Sequence, residues 1–368
     1  MRTKMAQITF ALGLLSPAFL PAQDTLRVFN YPNYIASSTI KNYEAKNKIK
    51  VVYEEYDSVD EAQAKLLAGN SGYDVVIIAA VPNSAELIKA GRLLPLESRK
   101  LRNFGNLDSS LLLSLENVDV GNRYLIPYLW GTTGLGVNDI KVRAVLGLPE
   151  GDKLLQSWRL LFDPVNAKKL ASCGISVLDD GAEAVAAGLV YLGFKPNSMQ
   201  PAQLAAVESL YKKIRPYVRT FTSSEYLEPM AEGKTCLVMG YSSDLLQARA
   251  QALAANKGVT VRYLIPAEGS VRWLDVVAIT ADTKNVAGAH AFIDYLMDPE
   301  VIAQVSNEVG AANANEQSAR FLKKEVRRDP AIYPDYKLAS KLSENSAMSA
   351  ADQQVRDKLW ERIKLPVR

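Results

Sequence analysis

Three strand-like runs, Thr25–Asn30 (TLRVFN), Ile49–Tyr53 (IKVVY) and Val75–Ala80 (VVIIAA), alternate with helical segments, and this rhythm constrains the fold more than any other feature of the chain. Strands this apolar need cover on both faces, the condition of a parallel sheet with helices on either side. Between them, Ser37 and Ser38 can cap a helix carrying Ile40, Tyr43 and Ala45, Val59–Ala68 reads as a helix closed by Gly69, and Ser84–Ala90 as one ending at Gly91. The expectation is an α/β chain.

Tyr124–Asn138, YLIPYLWGTTGLGVN, is long, has two strand-like halves, and reads as a segment crossing between domains. Its glycines match neither phosphate-binding spacing, so they are taken as hinge or close-packing positions. A second α/β region follows, with strands at Gly174–Leu178, Val218–Phe221 and Thr235–Gly240 among helices. Val259–Ile265 and Trp273–Thr280 read as strands that carry the chain back, and the tail from Ala312 as helices and loops.

A length of 368 residues accommodates two domains, and 48% hydrophobic with 23% charged residues describes a globular protein. Residues 1–22 have the form of an export signal: Arg2 and Lys4, an apolar stretch Ile8–Leu15, then Pro17, Pro21 and Ala22, with Leu20 larger than usual before the cut. Removing this leader takes Lys+Arg from 43 to 41 against 40 Asp+Glu, leaving a net charge of +1. That balance gives no reason to expect nucleic acid or an anionic membrane as partner. In an oxidising compartment, Cys173 and Cys236 are most simply one disulfide, with two buried thiols as the alternative. With one histidine, His290, and no CxxC spacing, a metal site is unsupported, and no cofactor is expected.

Aromatics and carboxylates recur near strand ends, where ligands of parallel α/β sheets bind: Tyr31 with Tyr34, Asp179 with Glu183, Tyr241 with Asp244, and Trp273 with Asp275. Residues two apart on a strand share a face, so Trp273 and Asp275 project together while Arg272 turns away. Such a wall suits an elongated organic cation: the carboxylate binds its ammonium group and the indole covers its methylenes. Asp244 could instead simply cap its helix. No G-x-S-x-G elbow or Ser-His-Asp set exists; a carboxylate-dependent glycoside hydrolase is the enzymatic rival.

In IKVVYEEYDS, IPYLWGTTGLGVN, SCGISVLDD with the later Cys236, and ANAN followed by DPAIYP, the chain resembles the bacterial periplasmic polyamine-binding proteins, the putrescine- and spermidine-binding components of ABC importers. The resemblance implies a two-lobed periplasmic-binding-protein fold of type II, each lobe a mostly parallel sheet flanked by helices, with the ligand clamped between discontinuous lobes. These are expected at 23–131 plus 262–308 and at 132–261 plus 309–368. It further implies a monomeric, non-enzymatic carrier that delivers its ligand to a membrane permease. A sensor without transport, or the same fold with a different or modified ligand, is the alternative within that fold.

Carried over by position, Tyr34, Glu183, Tyr241, Asp244, Trp273 and Asp275 match the family's ligand-contacting pattern. Tyr31-Pro32-Asn33 stands where the family has Trp-Ser/Thr-Asp/Glu; Tyr31 and Asn33 are kept as candidate contacts although a hydroxyl and an acid are missing. Ala79 or Ala80 replaces a serine, and Ala311 a tyrosine. Trp273 is the residue of the spermidine-binding members. A short diamine needs an acid at each end, so a spermidine-type ligand is expected over putrescine.

Overall fold

The computed structural model describes residues 25–56, 58–223 and 225–366, so the expected export leader at 1–22 lies outside the described residues. Twelve strands are found among them: β1 Thr25–Asn30, β2 Lys50–Glu55, β3 Val75–Ala79, β4 Leu93–Leu94, β5 Leu125–Asn138, β6 Ile175–Leu178, β7 Thr220–Thr222, β8 Leu237–Tyr241, β9 Val261–Leu264, β10 Ser270–Thr280, β11 Ala312–Asn313 and β12 Leu342–Glu344. The main order is β2-β1-β3-β10-β5-β8-β6-β7. β1 pairs parallel with β2 and β3, and β6 pairs parallel with β7 and β8. The antiparallel strands of this path are β5 and β10, which run between its two ends.

The apolar residues form two cores, and these are the two lobes. One gathers β1 to β3, Leu125–Leu129 of β5, Leu274–Ile279 of β10, and the helices Val286–Leu296 and Pro299–Val309. The other gathers Leu135 and Val137 of β5, β6, β8, β9 and the helices around them, closed by Leu359, Trp360 and Ile363 of the last helix. β5 therefore serves both: Trp130 pairs with Leu274 in the first lobe, and Thr133 with Tyr241 in the second. The crossing expected at Tyr124–Asn138 is this strand.

The return differs from expectation. β9 lies antiparallel to the second half of β5, and Tyr263, Leu264 and Ile265 are buried in the second core. The chain comes back on β10 alone, later than the expected position 262. The first lobe also runs past 308, because β11 pairs with β5 at Leu129 and Trp130 while Ala311 and Ala314 enter the first core. The tail, expected as helices and loops, also contains β12, paired parallel with Ser270–Arg272 of β10.

Cys173 and Cys236 form a disulfide, with an S–S distance of 2.01 Å and a sequence separation of 63. It ties the start of β6 to the start of β8, where the Cys236 amide also donates to the Gly174 carbonyl at 3.1 Å. Replacing both cysteines by serine should lower stability by about 2–4 kcal/mol through the freed loop, as read from denaturant melts.

Candidate functional site

The first wall of the cleft is built on β10 and the turn after β1. Strand alternation sends Trp273 and Asp275 to one face, while Arg272 points the other way, pairs with Glu344 and lies 5.8 Å over the Trp130 ring. The β10–β5 ladder pairs Leu274 with Trp130 but Val276 with Pro127, so β5 carries an extra residue opposite Asp275. Bulges of this kind re-aim side chains beside functional sites. Asp275 is 8% exposed; Tyr34 donates its hydroxyl to Oδ2 at 2.6 Å and Tyr31 to Oδ1 at 3.3 Å. The Tyr31 ring meets Tyr34 edge-on at 5.2 Å and leans on Tyr56 at 4.8 Å, while the Tyr128 hydroxyl donates to the Tyr34 carbonyl at 3.0 Å.

The second wall comes from the ends of β6 and β8. Asp180 caps the helix Gly181–Tyr191, accepting the Glu183 amide at 3.1 Å on Oδ1, and its Oδ2 accepts the Tyr241 hydroxyl at 2.8 Å. Glu183 is buried at 5% exposure, and its Oε1 accepts the Asn345 side-chain amide at 2.8 Å. Asp244 lies in the first turn of the helix Ser242–Ala255 but does not cap it; it accepts the Tyr226 hydroxyl at 2.6 Å and the Ser243 hydroxyl at 3.3 Å. The walls meet where Tyr241 stands edge-on to Trp273, centroids 6.3 Å apart. Gly131 permits this: a Cβ there would lie 2.2 Å from the indole. Its reading as a close-packing glycine holds.

Burial dominates the electrostatics. It pushes Asp275 up to about 6, although the Tyr34 and Tyr31 hydroxyls pull the other way. Burial raises Asp244 against the hydroxyls of Tyr226 and Ser243. Glu183 is pushed up to about 8, first by burial and then by the charge of Asp180. Among the described residues no Lys or Arg pairs with Asp180, Glu183, Asp244 or Asp275. Glu183 Oε2, Asn345 Oδ1, Thr133 Oγ1 and Trp273 Nε1 are buried with no hydrogen-bond partner among the described residues. Three of those four atoms are oxygens able to accept N–H bonds, the complement of an ammonium group. No group of three His, Cys, Asp or Glu side chains among the described residues is arranged to hold a metal ion.

Tyr31, Tyr34, Glu183, Tyr241, Asp244, Trp273 and Asp275 are thus brought together. Asn33 is not: it is exposed, with left-handed backbone at φ 55, and its amide donates to Glu55 at 3.3 Å. Asp179 is a correction, since it pairs with Lys364 at 3.0 Å and accepts the Trp360 indole N–H at 2.7 Å, behind the wall. The cleft acid is its neighbour Asp180, whose signal was its place three residues before Glu183 at a helix start. Tyr56, Tyr128, Tyr226 and Asn345 carried no signal. For Asp275, folded above its unfolded value, the contribution to stability is full below about pH 4 and is lost as the pH rises through about 6. Asp275→Asn should therefore stabilise the ligand-free protein at pH 7–8, by about 1–2 kcal/mol, and flatten the fall in melting temperature between pH 4 and 8.

Residues 38–334 match the family model described as bacterial extracellular solute-binding protein. The chain is 41% identical to the putrescine-binding periplasmic protein SpuD of Pseudomonas aeruginosa, over 97% of this chain and 96% of that protein. It is 39% identical to the putrescine-binding periplasmic protein PotF of Escherichia coli, over 96% of this chain and 95% of that one. The spermidine/putrescine-binding periplasmic protein of Escherichia coli is 30% identical over 91% of this chain and 90% of its own length. Among solved structures, the spermidine/putrescine ABC transporter substrate-binding protein PotD of Streptococcus pneumoniae superposes with a TM-score of 0.79 at 25% identity, covering 93% of this chain and 99% of that chain. The chain belongs to the bacterial extracellular solute-binding proteins, binding proteins rather than enzymes, in the branch whose named members are periplasmic binders of putrescine and spermidine.

Proposed function

We propose that the protein captures a linear polyamine between its lobes, outside the cytoplasm, and hands it as a monomer to a membrane ABC permease. Asp275 and Asp244 would hold ammonium groups toward one end and Glu183 with Asp180 toward the other; Tyr34 lies within electrostatic reach of both Asp275 and Asp244, and Tyr241 of both Asp180 and Glu183. Trp273, Tyr241, Tyr31 and Tyr34 form the aromatic walls over the methylenes. The observation that carries this reading is that four carboxylates face one cleft without a basic partner among the described residues. Removing one partner of a buried charge costs several kcal/mol, so a cation is what completes the site.

We further read the ligand as of spermidine length. Four acids exceed what a diamine neutralises, and Trp273 offers the widest ring face. The second reading, putrescine itself, is favoured by the names of the relatives at 41% and 39% identity.

Calorimetric titration with putrescine, spermidine and acetylated spermidine decides between them. Spermidine is expected to bind at least about tenfold more tightly than putrescine. Equal or tighter putrescine binding overturns the preference and leaves the polyamine reading intact. Asp244→Asn should abolish the ligand-induced rise in melting temperature; an unchanged rise sinks the cation reading. Because Glu183 and Asp275 must be ionised to pair, affinity should be level above about pH 8 and fall as the pH drops through 8 and then 6, by up to about tenfold per unit per proton. Binding at pH 7 should release protons, seen as a dependence of the measured heat on buffer ionisation enthalpy.

A further inference from the structure

Asn345, which orients Glu183, is itself held in place from behind. The Asn197 side chain brackets it: Nδ2 donates to the Glu344 carbonyl at 2.8 Å, and Oδ1 accepts the Ser346 amide at 3.2 Å. Asn197 lies in the loop between the helices Gly181–Tyr191 and Pro201–Ile214. That loop is bracketed in the same way, because Arg356 Nη2 donates to the carbonyls of Pro196 at 2.9 Å and Ser198 at 3.0 Å. Arg356 is 1% exposed and, among the described residues, has no carboxylate partner and leaves Nε and Nη1 unbonded. A guanidinium out of water without an anion is costly, and burial alone brings Arg356 down to about 10. The two carbonyls flanking Asn197 are its only hydrogen bonds among the described residues, so the one use the fold makes of this buried cation is to fix that loop.

We infer that Arg356 and Asn197 are positioning residues for the cleft: a relay in which Arg356 sets Asn197, Asn197 sets Asn345, and Asn345 sets the Glu183 carboxylate that receives the ligand. None of the first three links is local in sequence. On the far side, β12 is zipped to β10 and Glu344 pairs with Arg272, so the strip that bears Asn345 is anchored to the crossing strand as well as to the loop. The titratable groups that face Glu183 are Asp180 on its own helix, Tyr241 at the end of β8 and Tyr263 on β9; Thr133 of β5 also approaches it. The relay supplies the Asn345 side-chain donor bond to Glu183, and a donor favours the ionised carboxylate. The inference rests on the polyamine reading of Glu183.

The test compares wild type, Asn197→Ala and Arg356→Lys, each shown folded by its melt. The Glu183 carboxyl is titrated by NMR in ligand-free, glutamate-labelled protein, and spermidine affinity is measured from about pH 6 to 9. Asn197→Ala should move the Glu183 midpoint upward and weaken spermidine about tenfold at pH 7. The loss should shrink toward pH 9, where the carboxylate is ionised in both proteins. Arg356→Lys should shift both in the same direction; if it does not fold, Asn197→Ala decides alone. A midpoint that stays put, or an affinity loss equal at every pH, overturns the relay. A shifted midpoint in a protein whose wild type binds neither spermidine nor putrescine supports the relay and refutes the ligand instead.

Discussion

Four carboxylates gathered along one cleft, Glu183 and Asp275 buried and Asp180 and Asp244 half-buried, with only hydroxyls and amides for company among the described residues, set the terms for the rest of the molecule. Charge taken from water into a protein interior is unfavourable unless opposite charge comes with it. Tyr31 and Tyr34 on Asp275, Tyr226 on Asp244, Tyr241 on Asp180 and Asn345 on Glu183 soften that cost without removing it. Each donor is uncharged, so each orients its acid and leaves the negative charge for a guest.

The two lobes supply this arrangement through different devices. In the first, a bulge on β5 faces Asp275 while a cluster of tyrosine rings after β1 locks it. In the second, helix starts do the work: Asp180 caps one helix, Glu183 sits a turn inside it, and Asp244 occupies the first turn of another. A helix N-terminus favours nearby negative charge, which partly offsets the burial of these acids. Trp273, on the strand that returns between the lobes, closes over Gly131 on the strand that leaves, and so the aromatic floor belongs to neither half alone.

Much of this was legible in the residues. The VVIIA run of β3 could only be a strand covered on both faces, and a spacing of two placed Trp273 beside Asp275 and turned Arg272 away. What escaped has physical causes. Asp179 and Asp180 are chemically identical neighbours, and only the helix start selects which one faces the cleft. Asn345 meets Glu183 across 162 residues, so no local pattern reports it. β12 is three residues long in a polar tail and is a strand only because the edge of β10 offers it a ladder. β9 was expected to cross with β10, yet the apolar Tyr263, Leu264 and Ile265 found their burial in the second core.

β5 is one unbroken strand of fourteen residues whose first half is laddered to β10 and whose second half to β8 and β9. Melting either lobe would strip partners from half of it and leave backbone amides and carbonyls bare at the edge of the surviving sheet. The shared strand thereby couples the halves: for all their separate cores, they are expected to unfold as a single cooperative unit, with one calorimetric transition where two domains on a loose tether would give two.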